Sequence, residues 1–95
     1  MVTVGLPAST AKGQAVRMTL TNTGGQPASY GLTAEDPVKH IAARVSPAPG
    51  PIAPGASIEV VIQPPATYEG TMTVKGVMQG QPGNHFEASF GVRTA

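Results

Sequence analysis

Residues 15–22 read Ala-Val-Arg-Met-Thr-Leu-Thr-Asn, and their side chains alternate between apolar and polar from Val16 onward. Val16, Met18 and Leu20 share one face of an extended chain, and the arginine and the two threonines share the other, because successive side chains of a strand point to opposite sides. The Asn-Thr-Gly-Gly sequence at residues 22–25 is typical of a turn. The stretch therefore predicts a β-strand with one buried face.

Six further segments have the character of extended strands, which makes seven predicted strands in all. In the three clearest of them, the side chains predicted to face inward are Ile58, Val60 and Ile62, then Met72, Val74 and Met78, then Phe86, Ala88, Phe90 and Val92. Weaker strands are predicted at residues 3–6, 29–33 and 39–45, and a helical turn at residues 34–36. The pattern predicts an all-β, seven-stranded antiparallel β-sandwich, with an up-and-down barrel or a jelly roll as the alternative.

The composition fits a single folded domain spanning residues 1–95, with 40% hydrophobic and only 12% charged residues. The six basic residues are scattered and the formal net charge is +1, so nucleic-acid binding is not expected. The absence of cysteine excludes disulfides and thiolate chemistry. The N-terminus lacks the basic and apolar regions of a signal peptide, and no apolar run has the length of a membrane-spanning helix, so no membrane insertion is expected.

A proline-rich segment at residues 46–55 reads Ser-Pro-Ala-Pro-Gly-Pro-Ile-Ala-Pro-Gly. It is open to two interpretations: a polyproline ligand for an aromatic groove, or a stiff crossover between two sheets that ends in a Pro-Gly turn. Predicted strands flank the segment on both sides, whereas ligand motifs usually lie in disordered tails. This position favours the crossover.

Several of these segments together resemble a known group of domains. They are the turn at residues 22–25, Val45-Ser46-Pro47, the Ile-Ala-Pro-Gly-Ala-Ser sequence at 52–57, Pro64-Pro65, and the Tyr-Glu-Gly-Thr sequence at 68–71. Over roughly residues 14–94 the chain resembles the immunoglobulin-like domains related to the major sperm protein and the Hydin-type family. The resemblance implies a single immunoglobulin-like sandwich, but it implies no particular function. The Trp and Cys pair of antibody domains is absent, which disfavours an antibody-type member.

Residues that could support catalysis are sparse. A zinc site would have to recruit His40 or His85 together with carboxylates, and a Ser29–His40–Asp36 triad is conceivable from composition alone. Glu35 and Asp36 are expected in a polar loop, and Glu59 and Glu87 on outward strand positions, where solvation explains them better than acid–base chemistry. We therefore expect no enzymatic activity, no catalytic or metal-binding residues and no cofactor.

Three residues are candidates for an interface. Tyr68 is expected to be exposed next to two prolines, where it is either an interface anchor or a ring packed on its own loop. Val61 and Val77 fall on outward strand positions, where apolar side chains indicate a contact surface or a covered outer face.

The sequence thus favours a non-enzymatic structural or interaction module, most concretely a phage virion protein that decorates or cements a capsid or tail and is assembled in the host cytoplasm. Its expected partners are capsid or tail proteins or further copies of itself, bound through loops and an exposed sheet edge. The alternative is an excised accessory domain of a secreted or cell-surface protein, which would bind carbohydrate or a neighbouring domain outside the cell. A third hypothesis is a small metal-dependent hydrolase that uses His40 or His85.

Overall fold

Residues 16–22 of the alternating stretch form one of nine strands in the computed structural model, which describes residues 1–48 and 50–94. The strands are β1 (Val2–Gly5), β2 (Ser9–Ala11), β3 (Val16–Asn22), β4 (Tyr30–Asp36), β5 (Ile41–Ala42), β6 (Arg44–Ser46), β7 (Ser57–Gln63), β8 (Gly70–Met78) and β9 (His85–Arg93). No described residue is helical. The prediction of an all-β fold is confirmed.

The strands form two sheets, one of four strands in the order β1-β3-β7-β6 and one of five in the order β2-β9-β8-β4-β5. All pairings are antiparallel except that of β2 with β9, which is parallel. The prediction of two sheets is confirmed, but the prediction of seven strands in a purely antiparallel arrangement is wrong. Two differences account for the change: β2 was not predicted, and the strand predicted at residues 39–45 is divided into β5 and β6.

The core lies between the two sheets and is built from the inward rows of their strands. Val16, Met18 and Leu20 of β3 are at most 2% exposed, and Val60 and Ile62 of β7 are fully buried. Opposite them lie the buried side chains Tyr30, Ala34, Met72, Val74, Phe90 and Val92. The inward faces predicted for β3, β7, β8 and β9 are confirmed, with Ile58, Met78, Phe86 and Ala88 only partly buried.

The chain changes sheets at Ala43. Residues 41–42 pair with β4, and Arg44–Ser46 pair with β7 in the other sheet. Ala43 lies between the two strands and still donates its N–H to the carbonyl oxygen of Ala34, at 2.9 Å. This crossing explains why one alternating run yields two strands.

The helical turn predicted at residues 34–36 is wrong, because β4 continues through Asp36. The turn follows at residues 37–40, where the His40 N–H donates to the Asp36 carbonyl oxygen at 2.8 Å. Asp36 is 4% exposed, so the expectation that it lies in a polar loop is also wrong. Its side chain faces inward because it continues the register of Tyr30 and Ala34.

The molecule is elongated, with principal extents of 41 × 21 × 19 Å. The strands run along the sandwich, so their connections gather at its two ends. One end carries the connections β3–β4, β6–β7 and β8–β9, and the other carries β2–β3, β4–β5 and β7–β8. Among the described residues, no helix is long and apolar enough to cross a membrane.

Candidate interaction surface

Among the described residues, the first end of the sandwich carries no charged side chain, and its one charged group is the α-ammonium of Met1. We call it the uncharged end and define it as residues 23–29, 47–48, 50–56 and 79–84, together with Met1. Its connections consist of Gly, Pro, Ala, Ser, Thr, Ile, Gln and Asn. Charged residues are depleted at the cores of protein interfaces, because removing a charge from water is costly. A partner that covers the loops of this end therefore removes no charged side chain from water.

Asn22 holds the loops of the uncharged end in place. It is 1% exposed, and its side-chain nitrogen donates to the carbonyl oxygens of Gln26 at 2.7 Å and Ile52 at 2.9 Å. Its side-chain oxygen accepts from the N–H of Gly24 at 2.9 Å. One buried amide thus joins the β3–β4 connection to the β6–β7 connection.

Backbone hydrogen bonds complete the attachment of the three connections. Ala28 and Ile52 exchange both of their backbone hydrogen bonds, at 3.0 and 2.7 Å. The Gln79 N–H, at the start of the β8–β9 connection, donates to the Ser29 carbonyl oxygen at 2.8 Å. Because these loops are already ordered, they would lose little conformational entropy when a partner binds.

Exposed apolar side chains add to this end. Met1 is 79% exposed, and it lines a recess together with Tyr30 and the tip of the β8–β9 hairpin. Val77 is 41% exposed and pairs with His85 at the adjoining end of the five-stranded sheet. The outward position predicted for Val77 is confirmed, and the structure places it beside the uncharged end.

The other two predicted interface residues lie elsewhere. Val61 is half-buried on the outer face of the four-stranded sheet, opposite Arg17 and Ser46. It therefore lies on the far side of the sandwich from Val77, and the two do not form one patch. Tyr68 lies at the opposite end of the molecule from the uncharged end. The structure does not bring the three residues together.

The exposure expected for Tyr68 is wrong, since the residue is 4% exposed. Its hydroxyl donates to the carboxylate of Asp36 at 2.7 Å, and the ammonium group of Lys39 lies 5.5 Å from the centre of its ring. Burial, and then the hydrogen bond to Asp36, raise the pKa of the Tyr68 hydroxyl. The Tyr68 hydroxyl can be buried here because the Asp36 carboxylate accepts its hydrogen bond.

Asp36 is held as a carboxylate by its contacts. The backbone N–H of Lys39 donates to it at 3.0 Å and that of Val38 at 2.9 Å, in addition to the Tyr68 hydroxyl. The hydrogen bond from Lys39, followed by the one from Tyr68, lowers the pKa of Asp36. Gly70 closes the site from β8: its φ is 146°, and a Cβ there would lie 2.6 Å from the Tyr68 hydroxyl. These contacts assign Asp36 and Tyr68 a structural role.

The second end also carries surface charges. Lys12 lies 3.2 Å from the Glu69 carboxylate, and Thr94 donates to that same carboxylate at 2.7 Å. The hydrogen bond from Thr94, followed by that from Lys12, lowers the pKa of Glu69. Lys39 donates to the Glu69 carbonyl oxygen at 2.8 Å. The two ends of the sandwich therefore differ in charge and in chemistry.

The candidate catalytic residues are not brought together. Ser29 and Asp36 stand seven residues apart on an extended chain, about 23 Å, so the triad with His40 does not form. His85 pairs with Val77 at the other end of the sheet from His40. Within residues 1–48 and 50–94, no group of three or more His, Cys, Asp and Glu residues could hold a metal ion.

The carboxylates on the strands are likewise separated. Glu59 contacts Arg17 at 2.8 Å on the outer face of the four-stranded sheet. Glu87 lies 3.9 Å from Lys75 on the outer face of the five-stranded sheet. The two carboxylates therefore lie on opposite faces of the sandwich, each beside a basic residue, and they cannot act as a pair.

Sequence reasoning missed the two buried polar residues that organise the ends, Asn22 and Asp36. The available signal was register: Asn22 continues the inward row of Val16, Met18 and Leu20. A polar residue on an inward position indicates a buried hydrogen-bonding role. Neither a protein-family model nor a curated protein matches this chain.

Proposed function

We propose that the protein is a non-enzymatic, immunoglobulin-like module that attaches through its uncharged end to a repetitive protein assembly, most concretely as a decoration or cement protein of a phage capsid or tail. The observation that carries the proposal is the end itself, where Asn22 joins two connections that have no charged side chain and a backbone hydrogen bond from Gln79 to Ser29 attaches the third. A surface whose loops are ordered and lack charged side chains suits a permanent contact with another protein.

The strand order supports the immunoglobulin-like assignment. Immunoglobulin sandwiches join strands A, B, E and D in one sheet and C, F and G in the other. The order β1-β3-β7-β6 reproduces the first sheet, and β9-β8-β4 the second. In this scheme β1 and β2 are two halves of the first strand, and β5 is an additional strand beside C. Two strands beyond the basic seven are thereby explained.

Tyr68 gives a second argument for the same assignment. Many immunoglobulin-like domains bury a tyrosine at the corner between strands E and F, where its hydroxyl hydrogen-bonds a neighbouring part of the chain. Tyr68 lies in the corresponding β7–β8 connection, two residues before β8 begins. Its partner is the Asp36 side chain, whereas the usual partner is a backbone group.

The proposed binding rests on apolar contacts and on hydrogen bonds made by side-chain amides. Met1 and Val77 offer apolar area, and the exposed glutamine side chains of the loops offer hydrogen bonds. A complementary partner surface would also be uncharged, since an unpaired charge buried against this end would lose its hydration. The low overall charge, 12% of residues, also reduces repulsion between copies arrayed closely on one assembly.

The test is attachment to intact particles. Virions from a lysate of cells that carry the native gene are banded in a density gradient, and the protein is quantified in the particle band by mass spectrometry. The proposal expects the protein in that band at a fixed stoichiometric ratio to the major capsid or tail protein. Protein that remains in the soluble fraction while particles band without it overturns the virion assignment.

Charge substitutions then test the surface. Gln26→Lys and Gln79→Lys place a cation on exposed positions of the uncharged end, and Gln14→Lys makes the same change at the opposite end. The first two should reduce occupancy on particles at least about tenfold, because each buries an unpaired charge. Gln14→Lys should bind as the wild type does. Equal loss in all three variants would count against the uncharged end as the contact.

A further inference from the structure

The edge of β4 is incompletely paired. On one side β4 pairs with β8 from Tyr30 to Glu35, but on the other it pairs with β5 only at Glu35 and Asp36. Ala28, just before β4, forms an isolated bridge with Ile52. Between these two contacts, no described residue pairs with the outer edge of β4.

The backbone groups that face this gap can be identified from their neighbours. Ala34 accepts from Ala43, and Ala28 donates to Ile52, both on the side away from β8. Backbone groups alternate in direction along a strand, so the N–H and carbonyl of Leu32 face the same side. The Leu32 N–H could therefore donate to, and its carbonyl oxygen accept from, the backbone of an extended chain placed beside β4.

The gap exists because the chain changes sheets at Ala43. Continuing the register of β5 would place Val45 opposite Leu32. Val45 instead pairs with Ile62 in the other sheet. Residues 44–46 stay close to β4 but pair with β7, so among the described residues Leu32 has no strand partner on the side away from β8.

A recess of about 310 Å³ adjoins the gap. Its lining includes the apolar residues Leu32, Ala34, Ala43 and Val45 and the polar residues Thr33 and Glu35. Glu35 lies at its solvent side, is exposed, and is absent from the ion pairs formed among residues 1–48 and 50–94. The recess therefore has both apolar and polar lining residues, and one of the polar residues is a carboxylate.

We propose that this gap binds an extended segment of a partner polypeptide, which adds to the five-stranded sheet as a short strand beside Leu32. The segment would place a small β-branched side chain in the recess and a basic side chain towards Glu35. Addition of a strand to a sheet edge gains affinity from main-chain hydrogen bonds and specificity from alternate side chains. Five residues lie between Ala28 and Ala34, which are about 20 Å apart and already have the partners Ile52 and Ala43, so the segment has at most about five residues.

The site centres on Leu32, which lies outside the uncharged end, and it does not rest on the proposed function. The probe is a blocked peptide of sequence Thr-Val-Lys-Val-Thr, whose valines share one face and whose lysine lies on the other. Amide hydrogen exchange and chemical shifts of the isotope-labelled protein are followed by NMR as the peptide is added. We expect exchange of the Leu32 amide to slow at least tenfold, with shift changes that centre on Leu32 and Val45.

Two matched comparisons distinguish the addition of a strand to β4 from non-specific binding of the peptide. A peptide N-methylated at the valines keeps the side chains but loses backbone donors, and it should bind at least tenfold more weakly. Glu35→Lys should weaken binding of the lysine peptide about threefold and strengthen that of a Thr-Val-Glu-Val-Thr peptide, as surface ion pairs are modest. Glu87→Lys, on the same face of the sheet, should leave both affinities unchanged.

Three outcomes would overturn the proposal. The first is a Leu32 amide whose exchange is unaffected at millimolar peptide. The second is equal binding of the N-methylated and unmodified peptides. The third is a set of shift changes that centres on residues 79–84 and leaves β4 untouched.

Discussion

Asn22 joins parts of the chain that are far apart in sequence. Its amide donates two hydrogen bonds and accepts one, and they reach a turn two to four residues away and the carbonyl of Ile52 thirty residues away. Within the described part of the chain, every buried side-chain nitrogen and oxygen has a hydrogen-bond partner. A buried amide so fully satisfied stabilises one arrangement of the loops over others.

Replacing Asn22 with alanine should lower the free energy of unfolding by about 3 kcal/mol, because backbone groups of both loops lose their buried partner. Thr21→Ala is the matched control, since the neighbouring Thr21 hydroxyl bonds only to the exposed Ser57 hydroxyl at 2.7 Å. That change should cost less than about 1 kcal/mol. Urea denaturation measures both. Similar losses in the two variants would contradict the organising role of Asn22.

The alternation of apolar and polar residues predicts which side chains of a strand face the core, but it does not predict the environment of Tyr68. The alternation of Val16, Met18 and Leu20 is a local property, and it was sufficient to assign their faces. The burial of Tyr68 depends on Asp36, a residue 32 positions away. No local pattern shows that these two side chains meet, so the ring was expected in solvent.

At the scale of strands, β8 and β9 interlock through a glycine and an aromatic ring. Gly76 pairs with Phe86, and a Cβ at Gly76 would overlap that ring. The Phe86 ring also packs against Tyr30, with ring centres 5.9 Å apart. A ring laid over a glycine of the adjacent strand buries backbone that would otherwise be exposed.

Gly76→Ala should therefore displace the Phe86 ring and destabilise the protein by about 2 kcal/mol, through overpacking and the loss of its contact with Tyr30. Gly31→Ala is the control on β4, because a Cβ there meets only the Val77 carbonyl oxygen at 3.9 Å. It should stabilise the protein by about 0.5 kcal/mol, since alanine loses less entropy on folding than glycine does. Thermal unfolding distinguishes the two, and a stable Gly76→Ala variant would show that Phe86 is not held by this pairing.

Strands with a clear alternating pattern are predictable from the sequence, whereas β2, the second half of β4 and the division of residues 39–45 into β5 and β6 are not. β3, β7, β8 and β9 are seven to nine residues long, enough for an alternating pattern to be seen. β2 has three residues, and it forms because the chain runs parallel to β9 after leaving β1. The change of sheets at Ala43 likewise depends on which neighbours are present. The candidate gap beside Leu32 follows from that crossing and could not be inferred from the sequence.

For the molecule as a whole, stability should depend on acidity through Asp36. Its pKa is lowered on folding, so the folded state is favoured above the ordinary pKa of an unfolded aspartate, about 3.9. This contribution is lost as the pH falls below that value, because the unfolded chain takes up the proton more readily. Protonation of Asp36 should weaken both the turn at residues 37–40 and the contact with Tyr68, because the carboxylate accepts hydrogen bonds from both.

The free energy of unfolding of the wild type should therefore fall steeply below about pH 4, as measured by urea titrations between neutral and acid pH. Asp36→Asn should be less stable at neutral pH and should show a shallower acid decline. Glu35→Gln changes the exposed neighbour and should keep the steep decline, because all contacts of Asp36 remain. If Asp36→Asn declines as steeply as the wild type, other carboxylates govern acid unfolding.

Because charged side chains are unevenly placed, contacts made by the two ends should respond differently to ionic strength. Salt weakens interactions between exposed charges, with a screening length of about 8 Å under physiological conditions, but it acts little on apolar and amide contacts. Attachment through residues 23–29, 47–48, 50–56 and 79–84 should therefore persist from dilute buffer to about 1 M sodium chloride. Contacts made by Lys12, Lys39 or Glu69 at the opposite end would weaken over that range. A particle decorated in this way would keep its coat in media whose salt content varies widely.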